Sequence, residues 1–220
     1  MAMAVDLWVM ERAGLHWARA ALYEAAPLET ARAVSKAAMP IETTRPRDEA
    51  HALELNENEV IVSAPDGTVI QRIPFDQSEL TQFNRDYFMT TPNINFDGWP
   101  DLLLIAVQGL QNVYYDGWIW DPEASRYVYE PEIRDLSSPY FNARARRIET
   151  FTHGSATDNE SAVWEWQDGH LEEISRRTQM YDDTTGLFTV QTYGLNPDGN
   201  LELRSTRTLT EAQLNSDQEA

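Results

Sequence analysis

The chain has 220 residues, no cysteine and a formal net charge of -19 at pH 7. Its length suits one domain with an appendage, and the lack of cysteine excludes a disulfide scaffold, a zinc-thiolate site and a cysteine nucleophile. The acidic excess argues against a general nucleic-acid or anionic-membrane surface, because phosphate groups are bound by clustered Lys and Arg.

Residues 1–45 are predicted to form a helical N-terminal segment. Apolar residues recur at helical spacing over residues 5–25, which predicts an amphipathic helix that Pro27 ends. A second, Ala-rich helix is expected over residues 28–38, so the two form a helical hairpin whose apolar stripe docks on the main domain or on a second copy of it. The stripe consists of Leu7, Met10, Gly14, Trp17 and Ala21, joined by Trp8, Leu15, Ala18 and Leu22.

The N-terminus does not have the pattern of an export signal, because Asp6, Glu11 and Arg12 interrupt its apolar residues. No apolar run reaches the roughly 18 residues that a membrane-spanning helix needs. The protein is therefore expected to be periplasmic or in the cell envelope if an export signal was removed, and otherwise cytoplasmic.

Residues 46–209 are predicted to form a β-rich domain. Apolar and polar residues alternate along this part of the chain, and Asp-Gly turn sequences interrupt the alternation. This pattern predicts hairpins at residues 65–67, 168–169 and 196–200, and a further turn at 121–125. The expected fold is mainly β, an antiparallel sandwich or propeller-like sheet, and alternation does not choose between these. A short helix is expected near residues 131–138, and residues 210–220 are expected to be a disordered polar tail.

The segment 93–101 has the pattern of a calcium loop and runs directly into the apolar residues 102–107. Oxygen side chains alternate at positions 1, 3 and 5, and Gly98 at position 6 permits the sharp turn that directs them towards one ion. Position 12 lacks the Glu of an EF-hand, and a strand rather than a helix is expected to follow. The predicted ligands of one structural calcium ion are Asn93, Asn95, Asp97, the Trp99 carbonyl and Asp101. The alternative is a metal-free turn before a core strand.

Several segments resemble, in the same order, a family of bacterial cell-envelope proteins. They are Asn95 to Leu104 (NFDGWPDLLL), Trp118 to Tyr129 (WIWDPEASRYVY), residues 138–141 (SPYF), residues 147–149 (RIE) and Val163 to Leu171 (VWEWQDGHL). The similarity covers about residues 85–209. It implies an FG-GAP-like calcium loop in a β-rich domain, and a periplasmic immunity protein that inhibits a lysozyme-like peptidoglycan hydrolase. The acidic excess of this chain implies that such a hydrolase would be basic.

In such inhibitors a loop rich in small and hydroxyl residues enters the hydrolase cleft. The matching segment here is 153–161, and the resemblance implies partner-binding roles for His153, Gly154, Ser155, Asp158 and Glu160. Residues 1–45 have no counterpart in the resemblance. An ordinary exposed hairpin loop is the alternative for this segment.

Two other classes of function remain open. A carboxylate-based glycosidase would use Glu165, which lies between Trp164 and Trp166, although on a strand Glu165 points away from both. A calcium-stiffened module that binds glycan or protein would use exposed aromatic residues, of which about half are expected to be core. Those aromatic residues are Tyr114, Tyr115, Trp118, Trp120, Tyr127 and Tyr129. No catalytic residue is assigned, and the protein is expected not to be an enzyme.

Overall fold

The computed structural model describes residues 51–219. The predicted N-terminal helical hairpin lies outside these residues. The described chain forms two compact units, although the sequence predicted a single β-rich domain. We call residues 51–137 with 143–146 the loop unit, and residues 138–142 with 147–219 the meander unit.

Thirteen strands and one α-helix make up most of the described chain. In chain order they are β1 Ala52–Leu55, β2 Glu59–Ser63, β3 Val69–Pro74, β4 Met89–Thr90, β5 Leu102–Gln108, β6 Val113–Asp121, β7 Arg126–Glu130, β8 Tyr140–Asn142, β9 Arg147–His153, β10 Asn159–Gln167, β11 His170–Asp182, β12 Leu187–Leu195, β13 Leu201–Leu209 and α1 Glu211–Glu219. Two 3-10 turns, Gln77–Glu79 and Pro131–Asp135, complete them. The fold is therefore mainly antiparallel β, as the sequence predicted.

The loop unit contains two antiparallel sheets, in the orders β1-β2-β3 and β4-β5-β6-β7. Their apolar residues form one core, because strand alternation directs Val60 and Val62 of β2 and Leu102 and Leu104 of β5 inward. The predicted hairpin turn after β2 is present, and Gly67 adopts a φ of 85° there. Gln71 of β3 links the sheets by accepting from the Tyr127 N–H at 2.8 Å and donating to the Tyr127 carbonyl at 3.0 Å.

The meander unit is one six-stranded antiparallel sheet in the order β13-β12-β11-β10-β9-β8. Each strand pairs with its neighbours along the chain, and the predicted Asp-Gly turns join β10 to β11 and β12 to β13. The predicted short helix near residues 131–138, in the other unit, is the 3-10 turn Pro131–Asp135.

The expectation of a disordered C-terminal tail is wrong, because residues 211–219 form α1. The Thr210 N–H donates to Gln213 Oε1 at 2.9 Å, and the Gln213 N–H donates to Thr210 Oγ1 at 3.4 Å. This reciprocal pair is a capping box, which satisfies two backbone donors at a helix start. Leu214 is buried with Phe188 and Leu209, so one apolar side chain fixes the helix to the sheet.

Within residues 51–219, no helix combines the length and the apolar character needed to cross a membrane.

Candidate functional site

Asp101 joins the two ends of the predicted calcium loop. It has no exposed surface, and its carboxylate accepts hydrogen bonds from the backbone N–H of Ile94 at 2.6 Å and of Trp120 at 2.9 Å. Its own N–H donates to the Pro92 carbonyl at 2.7 Å. The loop is therefore closed at its base and attached to the middle of its sheet through β6.

The tip of the loop is shaped by side chains that accept from backbone N–H groups two residues ahead. Asn95 Oδ1 accepts from the Asp97 N–H at 3.1 Å, and Asp97 Oδ1 accepts from the Trp99 N–H at 2.7 Å. These two Asx turns bend the chain. Gly98 completes the bend with a φ of 98°, a conformation that other residues adopt only with strain.

Asn93, the first predicted ligand, has a buried oxygen without a partner. Among the described side chains, Asn93 Oδ1 and Gln179 Oε1 are the two buried atoms with no hydrogen bond. A buried acceptor left unsatisfied costs roughly 1–3 kcal/mol, so such an atom in a native protein is usually satisfied by an ion or a water molecule. Asn93 Oδ1 therefore fits the role of a cation ligand.

The charge of the loop also suits a cation. The pKa of Asp101 is raised to about 6, mainly because the carboxyl group is buried. The nearby Asp97 carboxylate also raises this pKa, whereas the hydrogen bonds from the Trp120 and Ile94 N–H groups lower it. At neutral pH the Asp101 carboxylate is ionised in a place where water does not neutralise it.

The loop's donors are two carboxylates, two amides and one carbonyl, which is a set for a hard cation. Across residues 51–219, no group of three or more His, Asp or Glu side chains could hold a metal ion. A cation at the loop would therefore be bound by amide and carbonyl oxygens as well as by carboxylates. The residues present fit calcium better than a transition metal, which prefers imidazole or thiolate.

Two side chains that sequence reasoning did not connect with the loop lie next to it. Arg146 Nη1 donates to the Phe96 carbonyl at 2.8 Å, and the Tyr127 hydroxyl donates to the Pro100 carbonyl at 3.3 Å. His51 Nε2 lies 2.5 Å from the Tyr127 hydroxyl oxygen, and the imidazole stacks on Trp120 at a centroid distance of 4.1 Å. The sequence carries no local signal for these contacts, since 76 positions separate His51 from Tyr127.

The predicted partner-binding loop is a tight connection between β9 and β10. The N–H groups of Gly154 and Ser155 donate to the Asp158 carbonyl at 2.9 and 3.1 Å, and Ser155 Oγ accepts from the Asp158 N–H at 2.9 Å. Asp158 Oδ1 accepts from the Tyr181 N–H of β11 at 2.7 Å. Gly154, Ser155 and Ala156 remain exposed. The loop presents a small surface on a rigid base.

The flanking residues of this loop are placed differently. His153 is mostly exposed and packs edge-on against Phe151, and the partial burial of its ring lowers its pKa. Glu160 lies on β10, 3.9 Å from Arg176. The loop therefore brings Gly154, Ser155 and Asp158 together, while Glu160 belongs to the face of the sheet.

The residues considered for other functions have structural contacts. Glu165 forms an ion pair with Arg147 at 2.7 Å, so the carboxylate does not lie in an apolar pocket. Trp118, Trp120 and Tyr127 are buried, which confirms that about half of the aromatic set is core. Tyr129, with 46% of its surface exposed, is the most accessible of that set.

No protein-family model matches the chain, and no curated protein matches it. Among solved structures, the chain is similar to one described as the structure of a Xanthomonas type IV secretion system related protein. The two share 13% sequence identity with a TM-score of 0.52, over 71% of this chain and 85% of the other. At this identity the likeness shows a shared fold.

Proposed function

We propose that the protein is a non-enzymatic, extracytoplasmic binding protein that inhibits a lysozyme-like peptidoglycan hydrolase and contains one structural calcium ion. The fold shared with a secretion-system-related protein over most of both chains is compatible with an extracytoplasmic, non-enzymatic protein. The proposal of inhibition is carried by the resemblance of the segments at 95–104, 118–129 and 163–171 to immunity proteins.

The charge of the protein supports a basic partner. The chain carries 36 acidic and 17 basic residues, and an acidic surface attracts a cationic enzyme over several ångströms. Association between such partners is fast, and it slows as salt screens the charges. The proposed contact is the exposed tip of the loop from Gly154 to Asp158, whose hydrogen bonds hold it in one conformation and reduce the ordering cost of binding.

In this proposal calcium is bound by Asn93, Asn95, Asp97, the Trp99 carbonyl and Asp101. The ion supplies positive charge to the buried Asp101 carboxylate and a partner to Asn93 Oδ1. Its role is to stabilise the loop that precedes β5. Two carboxylates neutralise the ion only in part, so the dissociation constant is expected in the range of extracellular modules, roughly 0.1 to 1 mM.

The deciding experiment is inhibition of a panel of purified lysozyme-class hydrolases, from the same organism and from competitors, at micromolar protein. We expect at least one enzyme to lose activity, with an association rate that falls as salt rises. If every enzyme keeps full activity, inhibition is not the function of the protein.

A variant of the loop tip tests the site of contact. Ala156→Trp adds bulk at an exposed position, whereas replacing Ser155 would remove the hydroxyl that accepts from Asp158 and disturb the loop itself. Ala156→Trp is expected to relieve inhibition with an unchanged melting temperature. The matched control is Gln167→Trp, exposed beside the next hairpin turn, which should inhibit like the wild type. Equal inhibition by both variants would place the contact elsewhere.

A further inference from the structure

The side chain of Gln179 on β11 is bonded to the loop between β9 and β10. We call residues 154–158 of that connection the contact loop. Gln179 Nε2 donates to the Thr157 carbonyl at 2.8 Å, across 22 positions of the chain. Strand β10 begins at Asn159, whose partner on β11 is Gln179. The bond therefore lies at the point where the contact loop leaves the sheet.

Hydrogen bonds within the contact loop and hydrogen bonds to β11 have different effects. Ser155 Oγ accepts from the N–H groups of Thr157 and Asp158 at 3.2 and 2.9 Å, so these bonds fix the shape of the loop. The Tyr181 N–H donates to Asp158 Oδ1 at 2.7 Å. This bond and the one from Gln179 join the loop to β11, so they fix its orientation relative to the sheet.

The amide of Gln179 lowers the stability of the protein at one of its two polar atoms. Gln179 is 6% exposed and lies opposite Val190, which is also buried. Gln179 Oε1 is buried without a hydrogen-bond partner, and such an acceptor destabilises the folded state. An apolar side chain of similar size would pack beside Val190 without this cost.

The bond to Thr157 is the contact that distinguishes Gln179 from an apolar residue. Thr157 is partly exposed, so water can serve its carbonyl, and the bond is not required to satisfy that oxygen. Positions where a sequence departs from the most stable choice are expected at functional sites. The amide at position 179 is therefore explained by what its Nε2 donor does to the contact loop.

We propose that Gln179 is a positioning residue for partner binding, whose bond to the Thr157 carbonyl holds the contact loop in the orientation that the partner hydrolase accepts. The inference rests on the proposed function, and it adds a buried residue that lies beneath the contact surface. A loop that is already held in its bound orientation loses less entropy on binding. Gln179 therefore increases affinity through the loop.

Gln179→Met tests this role, because methionine has a similar volume but no group that can donate to the Thr157 carbonyl. The variant also lacks the unpartnered acceptor, so its melting temperature is expected to equal or exceed that of the wild type. Its inhibition constant, for a hydrolase that the wild type inhibits, is expected to rise roughly tenfold. A purely structural role of Gln179 predicts a lower melting temperature and unchanged inhibition.

The matched control is Gln71→Met, in the loop unit. Gln71 also bonds backbone groups from a strand, but both ends of its amide have partners, namely the N–H and the carbonyl of Tyr127. Its replacement is expected to lower the melting temperature and to leave the inhibition constant unchanged. The two variants should therefore separate stability from inhibition in opposite directions.

Amide hydrogen exchange of the free protein gives a reading without a hydrolase. In Gln179→Met the Tyr181 amide, which donates to Asp158, should exchange roughly tenfold faster, while the Val190 amide on β12 keeps its protection. Unchanged exchange at Tyr181 would overturn the inference. Equal inhibition by Gln179→Met and the wild type would also overturn it and would leave the proposed function standing, whereas a wild type that inhibits no hydrolase would overturn both.

Discussion

The carboxylate of Asp101 accepts a 2.6 Å hydrogen bond from the backbone N–H of Ile94, seven residues earlier in the chain. This contact closes the candidate calcium loop from within the protein. The loop geometry is thus held by protein contacts, so an ion that binds there loses little free energy to ordering the chain. The same carboxylate reaches Trp120 on β6, so changes at the loop are transmitted to the sheet.

Calcium is expected to raise the melting temperature of the wild type relative to the same protein with chelator. At a hundredfold excess over the dissociation constant, an ion that binds only the folded state stabilises it by about 2.7 kcal/mol. Asp97→Asn keeps an acceptor for the Trp99 N–H but removes one of the two carboxylate charges, so the gain should be largely lost. Magnesium should substitute poorly, because it needs a smaller octahedral shell.

The matched control for the calcium experiment is Asp66→Asn, since Asp66 forms a comparable turn by accepting from the Thr68 N–H at 2.9 Å. That variant should retain the full calcium effect. Calcium affinity should also fall as the pH decreases through about 6, because a proton then competes with the ion at Asp101. An unchanged wild-type melting temperature in calcium would mean that residues 93–101 form a metal-free turn.

Mild acid is expected to weaken the folded state through His51. Burial lowers the pKa of His51 below its usual 6.5, so the folded protein prefers the neutral imidazole. The stability from His51 is therefore fully present above pH 6.5 and is lost as the pH falls below it. His51→Phe keeps a ring to stack on Trp120 but does not titrate. The free energy of unfolding can be measured for both proteins in urea at several pH values. As the pH falls from about 7.5 to about 5.5, that of the wild type should decrease relative to that of His51→Phe. A constant difference would show that His51 is not linked to folding.

Gly117→Ala is expected to destabilise the loop unit by about 1–3 kcal/mol. A Cβ at position 117 would lie 2.9 Å from the Cβ and Cγ2 atoms of Ile133, which is fully buried and has no room to move. The cost should be smaller when it is measured in an Ile133→Ala background, because the close contacts with Cγ1 and Cγ2 are then removed and only the contact with Cβ remains. Gly154→Ala is the matched control, since its nearest contact is 3.5 Å, and it should be nearly neutral in urea unfolding. Equal costs in both backgrounds would contradict this contact.

Thr210→Ala is expected to cost about 1 kcal/mol and to reduce amide protection in α1. The hydroxyl accepts from the Gln213 N–H, and its loss leaves a helix-start donor without a protein partner. Thr208→Ala, on the exposed part of β13, provides a control without a cap. If α1 keeps its protection in Thr210→Ala, the burial of Leu214 alone is sufficient to hold the helix.

The hairpins could be predicted from the sequence because each depends on neighbouring residues. The Asp-Gly turn after Gln167 and the alternating residues on both sides are local signals. The division into two units could not be predicted, because alternation shows which residues face inward but not which sheet a strand joins. The contacts from His51 and Gln71 to Tyr127 join residues 76 and 56 positions apart, so no short stretch of sequence contains a signal for them.

The C-terminal helix could have been predicted from Thr210 and Gln213, whose spacing is that of a capping box, but the polar composition obscured this signal. The candidate calcium loop could be predicted from the sequence, but the surroundings of its side chains could not. The burial of Asp101 and the unpaired oxygen of Asn93 both depend on how the loop lies against its sheet.

The sequential strand order of the meander unit has a consequence for folding kinetics. Every strand from β8 to β13 pairs with its chain neighbour, so each pairing closes only a short loop and costs little chain entropy. In the loop unit, by contrast, 56 positions separate the paired residues Gln71 and Tyr127. The six-stranded sheet should therefore form first during refolding, with Trp164 fluorescence changing before that of Trp120 in single-tryptophan variants.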